Sequence, residues 1–238
     1  MRRNQRERLA RRAEYLKAHP TTSKDKLIGT IEGLRGTFTY TQANKADFHD
    51  EAHVSRHEAA HAVAAWMQGM PIHCMQFNDE STKDSDYVPA NVRAVHQAST
   101  ATGIPLPEMQ ATSPGERWVH AKRHAFVTLA GPLGGGDTYS DNPLRRHESD
   151  LHLGQAAAKF TTITGCTDEI GLEACRSLID VVYDAFKDPA IQGVVGWLAN
   201  ALVKHRKLSG DEIVGIIEQA YPVFKIAVEA RSAAAAGK

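Results

Sequence analysis

Three cysteines, Cys74, Cys166 and Cys175, are all that the 238 residues contain, and no two of them form a C-x-x-C pair. An odd, scattered set of this kind argues against a disulfide framework and against a thiolate zinc knuckle, and it fits a reducing compartment. Neither sign of charge is in excess, because 28 Lys+Arg stand against 28 Asp+Glu. The totals therefore point to no strongly electrostatic partner. No window holds the roughly 18 apolar residues that a membrane helix needs, and the arginine-rich start lacks the apolar core of a secretory signal. We expect no transmembrane insertion and a cytoplasmic location. With 42% hydrophobic and 24% charged residues, the composition is that of a globular protein, long enough to bury a substantial core without cross-links. What the sequence has in quantity is histidine, twelve residues in all.

The zero balance conceals a cancellation. Met1 to Lys17 holds seven basic and two acidic residues, a local +5, which leaves −5 on the remainder. Good helix formers with Leu9, Ala13 and Leu16 on one side predict a basic helical arm over residues 1–20, ending at Pro20. The rest, 21–238, reads as one domain. Leu27 to Tyr40 mixes glycines with β-branched and aromatic residues and predicts a short strand or hairpin. From His49 to Met70 the pattern is helical, with Val54, Val63, Trp66 and Met67 as its apolar side and Gly69 with Pro71 at its end. Alternation over Ile72 to Phe77 predicts a strand. Residues 78–112 are rich in Ser, Thr, Asp, Pro and Gly and read as a loop-rich region, with short strands around Tyr87 to Val95. A helical part, 113–232, follows, with start signals at Ser113-Pro114-Glu116, near Ser149, at Thr167, at Asp188-Pro189 and at Ser209 with Glu212. The fold class is α+β, mainly α-helical, with a small sheet and a C-terminal helical bundle.

On the helix over about 49–70 lies His57-Glu58-Ala59-Ala60-His61, an H-E-x-x-H match. Residues i and i+4 share a helix face, so two imidazoles can occupy adjacent corners of a tetrahedral metal site. Glu58, beside the first of them, can reach a metal-bound water whose pKa a zinc ion lowers toward about 7, and can take its proton as it attacks a carbonyl. A catalytic zinc needs a third protein ligand and an open position, and the downstream segment RRHESDLHLGQAAAKF offers His147, Glu148, Asp150 and His152.

The string VSRHEAAHAVAAWMQGMPIHCMQF resembles the peptidase domain of the FtsH-type ATP-dependent zinc metallopeptidases, whose zinc helix is followed by a short connection and a strand. FVTLAGPLGG is similar to that family's small-residue helix, and ESDLHLGQAAAKF to its third-ligand helix. The resemblance spans about 52–160 in ordered pieces. It implies a zincin-like fold, Zn2+ as cofactor, His57 and His61 as ligands, Glu58 as general base and Asp150 as third ligand, with His147 or Glu148 next. Without a metal, Asp150 reads simply as a carboxylate favoured by a helix N-terminus. That family also carries membrane helices and a nucleotide-driven unfolding module, whereas no G-x-x-x-x-G-K-[ST] occurs in this sequence. Ala60 stands at a position usually glycine there, and Pro132 with Gly134, Gly135 and Gly136 replaces a more polar continuation.

The expected function is thus a zinc-dependent metallopeptidase acting without its own unfoldase, on a peptide or protein substrate that adds as a strand beside Ile72 to Phe77. A separate unfoldase and a second copy of the chain are candidate partners. The other reading is a noncatalytic zincin-fold binding or scaffold protein whose basic arm contacts nucleic acid, an anionic surface or an acidic partner. The remaining histidines read more plainly. His124 is expected to pack or to be exposed, His152 to point away from the site two positions beyond the proposed ligand, and His49 and His53 to extend the helix backward in four-residue steps. Tyr87 and Tyr139 are candidate transition-state donors in neighbouring loops.

Overall fold

A computed structural model describes residues 51–78, 98–135 and 143–236, with the backbone alone along 143–151 and 234–236. The arm over 1–20, the segment 27–40, His49 and the expected strands around 87–95 lie outside the described residues, as does Tyr139. What is described is mainly helical with one small antiparallel sheet.

The first helix, α1 (Glu51–Met67), forms where alanine is dense, and alanine is the strongest helix former. Gly69, at φ +61, ends it. The Met70 N–H bonds the Ala65 carbonyl at 2.9 Å and the Gly69 N–H the Trp66 carbonyl at 3.0 Å, the paired closure that a left-handed glycine permits. The expected one-sided apolar stripe is not what the packing shows. Between His57 and Ala65 every residue but His61 is buried, because α1 is enclosed by helices and by the sheet. Its alanines at 59, 60, 62, 64 and 65 are fully buried, and their small side chains let neighbours approach closely.

Strand β1 (Ile72–Phe77) follows where the alternation predicts it. It is the middle strand, flanked antiparallel by β2 (Ala98–Thr102) and by β3 (Lys207–Ser209). An irregularity between Ile72 and Cys74 bends the β1–β2 pairing. The region read as loop-rich therefore contains a strand and, after it, a short helix α2 (Leu106–Gln110). Strand β2, Ala-Ser-Thr-Ala-Thr, has little apolar period of its own and owes its conformation to the ladder with β1. Three-residue β3 is likewise set by its partner.

Five longer helices follow among the described residues. Helix α3 (Pro114–Gly134) begins with the expected capping box: Ser113 Oγ accepts from the Glu116 N–H, and the Glu116 carboxylate accepts from the Ser113 N–H at 2.9 Å. It runs past Gly131 and through Pro132. Its last carbonyls are taken up by side chains, with Gln192 Nε2 donating to Gly134 O at 3.0 Å and Arg56 Nε to Gly135 O at 3.3 Å. Helix α4 (Pro143–Thr164) starts earlier than the Ser149 signal suggests. It is anchored by fully buried Phe160, whose ring meets Trp118 edge-on at 4.9 Å between centroids, a burial worth about 1.5–3 kcal/mol. Helices α5 (Asp168–Ala185) and α6 (Pro189–His205) come next, the latter capped by Asp188, which accepts from the Ala190 N–H at 2.8 Å. The last, α7 (Gly210–Ala236), opens with a second capping box of Ser209 and Glu212. No helix among the described residues is long and apolar enough to cross a membrane.

Candidate metal centre

Helix α1 presents His57 and His61 one turn apart, with their Nε2 atoms 3.0 Å from each other. The third imidazole comes from α4. His152 lies edge-on to His57 and stacked on His61, with ring centroids 4.9 Å and 5.8 Å away. One ring nitrogen from each of the three lies within 4.8 Å of the others. A tetrahedral ion with metal–nitrogen bonds of about 2.0–2.1 Å separates its ligand nitrogens by about 3.3 Å. The His57–His61 pair already sits close to that spacing.

The orientation of His61 is fixed from behind. Its Nδ1 lies 2.7 Å from the Val127 carbonyl of α3; a carbonyl only accepts, so the proton stands on Nδ1 and Nε2 is left with its lone pair facing the cluster. Helix α3 can come this near because residue 131 is glycine. A Cβ there would overlap the Nε2 atoms of both His57 and His61. Arg56 and Gln192, by holding the end of α3, keep that glycine against the two rings.

Glu58 is buried, and Thr100 of β2 holds it, the Thr100 hydroxyl donating to carboxylate Oε2 at 2.6 Å and lying 3.1 Å from the Glu58 carbonyl. One carboxylate oxygen is thus engaged by a donor from the sheet. Sequence reasoning did not find Thr100, since it falls in the stretch that reads as loop. Gly131 is visible in the sequence only as part of the small-residue string.

His152 differs from expectation. The buried residues Leu153, Ala156, Ala157 and Phe160 set the rotation of α4, and in that rotation His152 faces the two histidines of α1. Asp150, His147 and Glu148 lie on the same helix where the backbone alone is described. The structure therefore brings together His57, His61 and His152, with Glu58 next to His57 in the chain and its carboxylate held by Thr100.

From this cluster a cleft of about 490 Å³ opens, lined by His61, His152 and Thr100 and, farther along, by Gly103, His124 and Lys159. His124 is buried in its wall at 4% exposure. Burial first, and then the nearby charges of Lys159 and His120, push its pKa down to about 3, so it is neutral at ordinary pH. Desolvation lowers the pKa of Lys159 as well, although the residue as a whole is exposed. The cysteines lie elsewhere. Burial raises the thiol of Cys74, and burial with the neighbouring Cys166 raises Cys175 to about 12, so neither of these two is an available thiolate.

Histidine, in neutral form, suits zinc, copper, nickel and iron alike. The donor set fits a divalent ion because three imidazoles converge and a glycine leaves the space between them unfilled. No protein-family model matches this chain, and no curated protein was found to match it.

Proposed function

We propose that the chain is a metal-dependent peptidase with a zincin-like site, related to the FtsH-type peptidase domain. The observation that carries this reading is the convergence of three imidazoles, two of them from an H-E-x-x-H helix whose Glu58 is buried and held by Thr100, a residue of the cleft wall. His57, His61 and His152 would hold the ion, with zinc as the expected occupant. When bound, such an ion lowers the pKa of a coordinated water and polarises a carbonyl.

The chain's own residues supply the remainder. Glu58 takes the proton of the attacking water on its carboxylate and delivers it to the leaving amine. Thr100, by engaging Oε2, holds the carboxylate in one rotamer. The Val127 carbonyl keeps His61 in the tautomer whose Nε2 can bind. Substrate placement differs from the expectation that a peptide adds to Ile72–Phe77, because β1 is paired on both sides. Among the described residues β2 is an outer strand and Thr100 to Thr102 line the cleft, so an extended peptide is proposed to lie along β2. Loosely structured substrate, or substrate delivered by a separate unfoldase, suits a chain in which no P-loop occurs.

The test is metal content by elemental analysis together with cleavage of unfolded casein and quenched peptides by wild type and Glu58→Gln. Stoichiometric metal with cleavage abolished in the variant supports the reading. Undiminished cleavage by Glu58→Gln sinks the mechanism, and bound metal with no cleavage by wild type returns the noncatalytic alternative.

A further inference from the structure

The cleft has a second end, and its chemistry differs from that of the histidine cluster. Lys159 follows His152 by seven residues on α4, nearly two full turns, so both stand on one face about 10 Å apart along the helix. On the opposite wall β2 measures the same length. Thr100 holds Glu58 at the metal end, and Gly103 lies three residues farther, about 10 Å at strand rise. Gly103, at φ +89, packs against the imidazole of His124, and a Cβ at that position would overlap the His124 ring. The cleft is thus bounded at its far end by Lys159, His124 and the Gly103 corner, with Gln155 between Lys159 and His152.

Two polar groups there lack partners. His124 Nε2 is buried and has no hydrogen-bond partner, and among the described residues no carboxylate pairs with Lys159. A buried polar atom left unmatched costs about 1–3 kcal/mol, and Lys159, an exposed residue of the cleft lining, adds a positive charge beside it. A ligand bearing negative charge and hydrogen-bonding oxygens would match both.

We infer that the far end of the cleft is a subsite for a substrate carboxylate, held by Lys159 and His124 about three residues along an extended peptide from the bond that faces His57, His61 and His152. This rests on the peptidase reading for the position of the scissile bond, but not for the binding of the carboxylate. The carboxylate comes either from a Glu or Asp side chain or from the free C-terminus of a short peptide; the geometry of the subsite suits both. His124 is neutral, so it serves as a hydrogen-bonding group and Lys159 supplies the charge. The subsite would make the enzyme selective by distance from the charge rather than by the residues flanking the scissile bond.

The experiment uses the full chain loaded with zinc and matched quenched peptides. In one arm Glu or Gln stands two, three or four residues to either side of the cleaved bond. In the other the peptide ends in a free carboxylate or an amide at those distances. The expected result is an acid-over-amide preference in kcat/KM of about tenfold at one distance, the scale of a charge-assisted contact, and the arm in which it occurs identifies the source. Lys159→Met should reduce that ratio to about one, and Lys159→Glu should invert it toward Lys-bearing peptides. Fluorescence anisotropy of the same labelled peptides on Glu58→Gln protein reads binding without turnover. If nothing is cleaved but the acidic peptides still bind in a Lys159-dependent way, the subsite stands and the peptidase reading falls. Equal binding and cleavage of acid and amide forms at every distance, or a preference that survives Lys159→Glu, overturns the inference.

Discussion

Substituting His152 by alanine, beside Asp150 by alanine, separates two accounts of the third ligand. In the structure the ligand nitrogens of His57, His61 and His152 lie within 4.8 Å of one another, so closing to the tetrahedral spacing of about 3.3 Å needs a movement of no more than ~1.5 Å, within the reach of ring rotation. Zinc held by four ligands in small domains is bound with roughly 10–16 kcal/mol, or about 2.5–4 kcal/mol for each ligand. At 1.4 kcal/mol per tenfold, losing one imidazole weakens binding by roughly two to three orders of magnitude. Competition with a chromophoric chelator measures the affinity, and the visible absorption of the cobalt(II)-substituted protein reports the number and geometry of ligands. His152→Ala is expected to lose affinity on this scale and to change the cobalt spectrum, while Asp150→Ala keeps both near wild type. The reverse outcome, with His152→Ala unchanged and Asp150→Ala depleted, would refute the assignment and make the third ligand a carboxylate.

Other consequences of the site can be measured separately. Gly131→Ala ought to favour its helix by about 1 kcal/mol on backbone grounds, yet its Cβ falls on two ligand nitrogens; we expect net destabilisation of about 1–3 kcal/mol by urea unfolding and loss of metal, and a stabilised variant that binds zinc normally would contradict the packing described. Thr100→Val removes the 2.6 Å donor to Glu58, so kcat should fall roughly 10–100-fold with zinc affinity retained, the scale of a hydrogen bond to a charged group; an unchanged kcat argues that Thr100 does not position the base. His124, with its pKa pushed from 6.5 to about 3, refuses in the folded state a proton that the unfolded chain accepts. Its effect is absent above about pH 6.5, and stability is lost as pH falls from there toward 3, by up to about 1.4 kcal/mol per pH unit. The metal-free His124→Gln variant should therefore show a shallower stability slope between pH 6 and 5 than metal-free wild type, and equal slopes would count against its burial as a neutral ring.

Much of the helical scaffold could be read directly, because its punctuation is chemical and local. Ser113 with Glu116, Asp188 with Pro189, Ser209 with Glu212, and Gly69 after α1 each satisfy backbone groups within a few residues, so the sequence carries the signal where the structure uses it. Strand β1 is legible for the same reason. What could not be read depends on distant partners. The strand Ala98–Thr102 has no pattern apart from its ladder with β1, and Lys207–Ser209 is too short to show one. Within the site, His57, Glu58 and His61 are evident from their spacing on one helix. The approach of His152 depends on the rotation of α4, which is set by Leu153, Ala156, Ala157 and Phe160 over the next two turns. Thr100 reaches Glu58 only because the sheet brings residue 100 back to α1.

The enclosure of α1 bears on how a metal would come and go. Its alanines pack to zero exposure, and the Val127 carbonyl and Gly131 hold their places through contacts among protein atoms. The three imidazoles are therefore brought together by protein packing, and the chain is expected to differ from small zinc domains that unfold when stripped. Chelation should consequently yield an intact, reloadable apoprotein. Exchange would proceed through the cleft mouth without unfolding, so the ion recovered in any preparation would reflect the metals it last encountered rather than those present when the chain was made.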